Sequence, residues 1–157
     1  MNTPNDLPGI WTLGAQYSIL PNLRVMGSYH YFFDKNAKMA DDKQKKLGGN
    51  TQEFLAGAEW DVTKNIMISA GGQRTRYDFA DGGYLTDMSF TTSSYSIGFG
   101  GTIRVAKNAK LNIAYFWTTY EKFDKAYTQT INNVEVAATD NFTRTNKVLG
   151  VGLDIDF

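Results

Sequence analysis

The sequence predicts an all-β fold, an antiparallel transmembrane β-barrel segment, from three observations. Seven stretches alternate between apolar and small or polar residues, each runs for about ten to twelve residues, and short turns alternate with long polar loops. Successive side chains of a strand point to opposite faces, so this alternation indicates strands whose two faces meet different surroundings. Stretches of this length suit a tilted strand that crosses a bilayer, whereas soluble strands are usually about five or six residues long.

The seven predicted strands follow a polar leader at residues 1–8, in a single β-barrel segment that spans residues 1–157 without a domain boundary. In the first strand, for example, Trp11, Leu13 and Tyr17 alternate with Thr12 and Gly14. The predicted strands span residues 10–20, 23–34, 51–62, 66–78, 93–105, 111–121 and 144–157.

The connections between these strands are of two kinds. Tight turns are predicted at residues 20–22, 63–65 and 106–110, and long polar loops at residues 34–50, 78–92 and 121–143. Outer-membrane barrels have short periplasmic turns and long extracellular loops. The pattern therefore predicts a protein of the bacterial outer membrane whose C-terminus is periplasmic.

The strand number predicts a part of a larger barrel. Single-chain bacterial barrels have an even number of strands, and lipid does not tolerate open sheet edges. Seven strands thus indicate the C-terminal part of a larger barrel, unless an eighth strand is hidden. The spare stretch for such a strand, Gly83–Thr91, is too short to cross a bilayer.

A soluble β-sandwich or lipocalin is the alternative fold, and it would turn the apolar side chains inward. Strand length, loop asymmetry and aromatic residues near strand ends favour the membrane instead. The aromatic residues expected at the two interfaces are Trp11, Tyr17, Tyr31, Trp60 and Trp117.

Composition excludes several kinds of function. There is no Cys and a single His, His30, so thiolate and multi-histidine metal sites are excluded, and no metal or cofactor is predicted. Lys plus Arg and Asp plus Glu each number 16, which leaves no net charge to attract nucleic acid. Glu53 and Glu59 are about 20 Å apart along one strand, too far for paired-carboxylate catalysis. We therefore do not expect an enzyme.

The closing strand is the first candidate site. Its alternation and terminal aromatic residue resemble the signal that the barrel-assembly machinery reads, which makes that machinery an expected partner. An edge strand of a soluble sheet is the alternative. The residues of this predicted assembly signal are Leu149, Val151, Leu153, Ile155 and Phe157.

Two further candidate sites lie on the small and polar face of the strands. Charged residues at the short-turn end would ring the periplasmic mouth, either as a selectivity ring or, as we favour, as structural ion pairs: Arg24, Glu59, Asp61, Arg104, Asp154 and Asp156. Apolar residues on the same face would form a track for hydrophobic solutes or would pack against a plug or one another: Met26, Phe32, Leu55, Met67 and Phe116.

Four segments carry a resemblance to a known family: Asn5–Pro8, Leu20–Asn22, His30–Ala37 and Arg144–Gly152. Together they resemble the C-terminal half of the FadL / OmpP1 / TodX outer-membrane transport family, in particular its Bacteroidetes members. The resemblance implies a barrel of about fourteen strands that passes hydrophobic compounds such as long-chain fatty acids. The family's N-terminal plug and its kinked third strand have no counterpart in this chain.

The expected function is passive transport of hydrophobic compounds across the outer membrane. The alternative is a structural or surface ligand-binding barrel, adhesin-like or heme-receptor-like, without transport. Besides the assembly machinery, the expected partners are outer-membrane lipid, lipopolysaccharide and hydrophobic small molecules. The lysine-rich loop at residues 35–46 is interpreted as solvated surface, with contact to lipopolysaccharide phosphates left open, and His30 as an ordinary lumen or rim residue.

Overall fold

The computed structural model describes residues 6–80, 82, 85 and 91–156. Within these residues the chain forms nine strands: β1 Ile10–Leu20, β2 Leu23–Phe32, β3 Gln52–Asp61, β4 Ile66–Arg76, β5 Ser94–Ala106, β6 Ala109–Tyr120, β7 Phe123–Ile131, β8 Val134–Phe142 and β9 Thr145–Ile155. Two 3₁₀ helices, Asp34–Asn36 and Ala40–Lys46, lie between β2 and β3. No helix of the described residues is both long and apolar enough to cross a membrane.

Seven strands form one antiparallel sheet in the order β1-β2-β3-β4-β5-β6-β9, and β7 and β8 form a separate hairpin. The predicted all-β, antiparallel fold is confirmed. The sheet is open, because within the described residues β1 and β9 each have a neighbour on one side alone. Closure into a barrel stays a prediction.

Five of the sheet strands lie within the predicted stretches, β5 ends one residue later than predicted, at Ala106, and β6 begins two residues earlier, at Ala109. The seven strands are 10 to 13 residues long. They are joined by tight turns at Pro21–Asn22, Val62–Asn65 and Lys107–Asn108, all at one end of the sheet. We call this the short-turn end and the opposite one the long-loop end.

The prediction of a polar loop at residues 121–143 is wrong, because this connection contains β7 and β8. Its turn is formed by Asn132 and Asn133, whose φ angles of 50° and 63° are those that a tight hairpin requires and that Asn tolerates. The prediction that only residues 83–91 were available for a further strand is wrong as well, since β7 and β8 lie in residues 121–143. Of that stretch, residues 83, 84 and 86–90 lie outside the described residues.

The buried apolar side chains lie outside the seven-stranded sheet, three in connections and one at the end of β8. Among the described residues they are Ala37, Leu47, Leu85 and Phe142, each 2 to 5% exposed. In the connection between β2 and β3, the Asp34 carboxylate accepts a hydrogen bond of 2.7 Å from the backbone N–H of Thr51. The strands of the seven-stranded sheet, by contrast, carry their large apolar residues on the surface.

Candidate functional site

Cross-strand register divides the side chains of the sheet between two faces. Directly paired residues share a face, so the pairs Leu13–Tyr29, Tyr29–Phe54 and Phe99–Tyr115 place these residues together. We call this side the apolar face. Its large exposed members include Trp11, Leu13, Tyr17, Phe54, Trp60, Ile68, Tyr95, Ile97, Phe99, Ile113, Tyr115, Trp117, Leu149, Val151, Leu153 and Ile155, which are 40 to 72% exposed.

Aromatic residues lie near both ends of the apolar face, and their role as interfacial girdles stays a prediction. Trp11 is paired with Tyr31 near the long-loop end, and Trp60 is paired with Leu23 beside a short turn. The ammonium group of Lys147 lies 5.6 Å from the ring centre of Trp117, also toward the long-loop end. A cation held over an indole is favourable at a boundary between apolar and aqueous surroundings.

The opposite side, which we call the cavity face, carries small and polar residues. One row of paired residues crosses all seven strands: Gln16, Met26, Gly57, Gly71, Gly98, Phe116 and Val148. Its three central positions are glycines on adjacent strands. Met26 and Phe116 border this glycine floor, about 19 Å apart along the wall at about 4.8 Å per strand.

A cavity of about 1160 Å³ lies over the glycine floor. Its lining includes Met26, Leu55 and Phe116 together with polar residues such as Gln73 and Ser96. The floor admits side chains poorly, since a Cβ added to Gly71 would lie 3.0 Å from the carbonyl oxygen of Ala56. The backbone itself therefore forms the bottom of the cavity.

The structure brings together three residues of the predicted hydrophobic track and separates two. Met26, Leu55 and Phe116 line the cavity. Phe32 is near the long-loop end, where its ring centre lies 6.4 Å from that of His30, and Met67 lies at the other end, paired with Asp61. Neither of these two residues belongs to the cavity lining.

Glu53 is the centre of a hydrogen-bond network on the cavity face. One of its oxygens accepts hydrogen bonds from the Gln73 amide at 2.9 Å and the Thr75 hydroxyl at 3.0 Å. The other oxygen lies 3.3 Å from Nδ1 of His30, whose Nε2 is 3.4 Å from the hydroxyl of Ser28. The network joins β2, β3 and β4 and holds the carboxylate against the cavity.

The predicted charge ring is divided into separate groups. Arg24 donates to Asp61 at 2.7 and 3.2 Å and to Glu59 at 3.3 Å, a three-residue cluster across β2 and β3. Asp154 instead accepts a hydrogen bond of 2.7 Å from the Asn112 amide. The Arg104 guanidinium donates to the carbonyl oxygen of Lys107 at 3.4 Å.

Asp156, the remaining residue of the predicted charge ring, lies just beyond β9. Its backbone N–H donates to the carbonyl oxygen of Asn108 at 2.9 Å. Structural ion pairs are thus present in the Arg24 cluster. The described residues show no continuous ring of charged side chains.

The residues of the predicted assembly signal lie on the apolar face of β9. Leu149, Val151, Leu153 and Ile155 are 46 to 70% exposed. Phe157, the fifth of them, lies outside the described residues.

The lysine-rich loop is more structured than predicted, since it contains the second 3₁₀ helix. Lys45 lies 2.8 Å from Asp42, and its hydrogen bond, with one from Gln44, holds the pKa of the Asp42 carboxyl below its ordinary value. The lysine side chain of that pair is 71% exposed, which agrees with the interpretation of a solvated surface.

Sequence reasoning missed the glycine floor and the role of Glu53. The alternation assigned each glycine to the correct kind of face, but only the register shows that Gly57, Gly71 and Gly98 are adjacent. Glu53 was considered as half of a catalytic pair, and its partners come from two other strands. The sequence signal that could have indicated this network is the presence of polar residues at alternate positions of neighbouring strands.

No protein-family model matches the chain, and a search of curated proteins returns no match to it. The FadL resemblance accordingly stays a prediction. Among the described residues, no group of three or more acidic or histidine side chains could hold a metal ion.

Proposed function

We propose that this chain is a sector of an outer-membrane β-barrel that passes hydrophobic compounds through its lumen. The single observation that carries the proposal is the arrangement of the two faces. Large apolar side chains cover one face, while the other combines a glycine floor, polar residues and a cavity. A water-soluble sheet would bury the first face, and a bilayer solvates it instead.

The strands have the dimensions that a membrane wall requires. A transmembrane strand needs about nine to eleven residues, and the seven strands of the sheet have 10 to 13. The tight turns gather at one end and the longer connections at the other. In the proposed orientation the short-turn end is periplasmic.

Strand direction supports completion of the wall by further strands. β1 and β9 are the first and seventh of an antiparallel sheet, so they run in the same direction. Pairing them with each other would give a parallel contact. An odd number of additional strands would close the wall with antiparallel pairs throughout, which agrees with the even count of bacterial barrels.

The cavity supports a path for apolar solutes. Met26, Leu55 and Phe116 offer adaptable apolar contacts beside a floor without side chains. A water-filled porin has no evident use for such residues at the middle of its wall. Passage along this surface needs no bond making and no cofactor.

A matched pair of neighbouring glycines tests the proposal. Leucine at Gly71 would project into the cavity, whereas leucine at Gly72 would project from the apolar face. In vesicles that contain the natural full-length protein, we expect Gly71→Leu to reduce entry of a hydrophobic dye severalfold. We expect Gly72→Leu to retain entry, with heat-modifiable migration confirming that both variants fold. Equal entry through the two variants, or none through the parent protein, would contradict the proposed conduit.

A surface ligand-binding barrel is the second candidate, and the β7–β8 hairpin favours it. This hairpin extends beyond the sheet and exposes Tyr127, Ile131, Val134 and Val136 on one of its faces, each 38 to 60% exposed. Deletion of residues 38–48 or of the hairpin distinguishes the candidates. Loss of surface binding with dye entry unchanged favours the second candidate, and loss of dye entry alone favours the conduit.

A further inference from the structure

We infer that the cavity selects hydrophobic cations, apolar chains or rings that end in an ammonium group, over hydrophobic anions such as carboxylates. This inference rests on the proposed conduit and assigns its substrate class. It depends on the position and sign of the charged groups around the cavity.

The formal charges in the cavity lining are all negative within the described residues. Glu53 and Glu59 line the cavity, and no lysine or arginine belongs to its lining. Polar hydroxyl and amide groups make up most of the remaining polar surface, including Ser28, Gln73 and Thr118. An anionic head group therefore meets carboxylates without a lysine or arginine of the lining to oppose them.

The direct ion pairs of the lining carboxylates leave a negative excess on β2 and β3. Arg104 and Lys110 lie on the same face at the short-turn end of β5 and β6, outside the cavity lining, where Lys110 is paired with Asp154. At the short-turn side, Arg24 is shared between Glu59 and Asp61, which makes two carboxylates for one guanidinium. At the long-loop side, Glu53 accepts hydrogen bonds from neutral amide and hydroxyl donors and lies 3.3 Å from the imidazole of His30. A cation moving along the wall thus meets a favourable group at each end.

The apolar residues lie between these two charged positions. Four residues follow one another along this face of β3, with about 7 Å between neighbours. In order they are Glu53, Leu55, Gly57 and Glu59. Met26 is paired with Gly57 and covers the middle of this interval. An alkyl chain can rest on Met26 and Leu55 while its ammonium head lies near either carboxylate.

Coulomb's law gives the size of the selection. A head group about 6 Å from one carboxylate in wet surroundings is stabilised if cationic and destabilised if anionic, and the difference corresponds to about tenfold in relative entry. Raising ionic strength should reduce this ratio because salt screens exposed charges.

The test uses vesicles that contain the natural full-length protein and three probes, the two charged ones below their micelle concentrations and the neutral one below its solubility. Decyltrimethylammonium and decyl sulfate carry permanent charges, and decanol is the neutral reference. We expect the ammonium probe to enter about tenfold faster than the sulfate after subtraction of entry into protein-free vesicles. Glu53→Gln should reduce that preference severalfold, at most by the roughly tenfold factor that one carboxylate supplies. Glu135→Gln, an exposed control on β8 away from the cavity, should leave it unchanged.

A second variant keeps the test valid if Glu53→Gln disturbs folding. Ser69→Lys places a cation beside Glu59, its partner across β3 and β4, and should also reduce the preference for the ammonium probe. Equal entry of the two charged probes, or faster entry of the sulfate, overturns the inference while decanol entry still supports the conduit. Failure of all three probes to enter overturns the conduit and, with it, the selectivity that rests on it.

Discussion

Arginine substitutions on the two faces of β9 give a direct energetic test of which face meets lipid. Val151 lies near the middle of β9, is 68% exposed on the apolar face and is paired with Ile113. Val148 lies on the opposite face of the same strand, is 42% exposed and is paired with Phe116 beside the cavity. The two valines therefore provide matched positions in one strand.

We expect Val151→Arg to lower the free energy of unfolding in lipid vesicles by about 2–4 kcal/mol, because a guanidinium at the bilayer midplane is costly. Val148→Arg should cost about 1 kcal/mol or less, since its side chain lies on the cavity face, which the proposed barrel turns toward a water-filled lumen. Equilibrium urea unfolding in vesicles, followed by tryptophan fluorescence, measures both values. If the apolar face were an ordinary protein surface, Val151→Arg would change stability by only about 0.5 kcal/mol, and this result would refute the assignment.

Three further predictions concern the long-loop end. Asp34→Ala should destabilise the loop by about 1–3 kcal/mol because it leaves the N–H of Thr51 without its acceptor, which faster hydrogen exchange at Thr51 would report. Gly48→Ala should displace Asp78, because the added Cβ would overlap its carboxylate, and should increase proteolysis of the loop; unchanged proteolysis would contradict the packing. Asn133→Val should weaken the β7–β8 hairpin by about 1–3 kcal/mol owing to its φ of 63°, whereas Asn133→Gly should retain it, as amide exchange in the hairpin can establish.

The sheet could be predicted from the sequence because its strands are long and their faces contrast strongly. Alternation such as that of Trp11, Leu13 and Tyr17 with small residues locates a strand without knowledge of its neighbours. The β7–β8 hairpin was missed because both of its faces carry polar residues and its turn residues, Asn132 and Asn133, were interpreted as part of a loop.

The candidate site could be predicted only in part, because it depends on register between strands. Met26 and Leu55 were recognised as apolar residues on a polar face, which a single strand reveals. The adjacency of Gly57 to Gly71, by contrast, follows from pairing between β3 and β4. The hydrogen bonds of Glu53 likewise join positions about 20 residues apart, and no local pattern encodes them.

Surface labelling in intact cells tests most directly the claim that the chain crosses the outer membrane with its short turns in the periplasm. The sequence has no Cys, so a single cysteine can be introduced at Asn132 in the hairpin turn or at Lys107 in a short turn. With a maleimide too large to cross the outer membrane, we predict labelling of Asn132→Cys in intact cells and of Lys107→Cys only after the outer membrane is permeabilised. Labelling of Lys107→Cys in intact cells, or protection of both sites there, would contradict the proposed membrane topology.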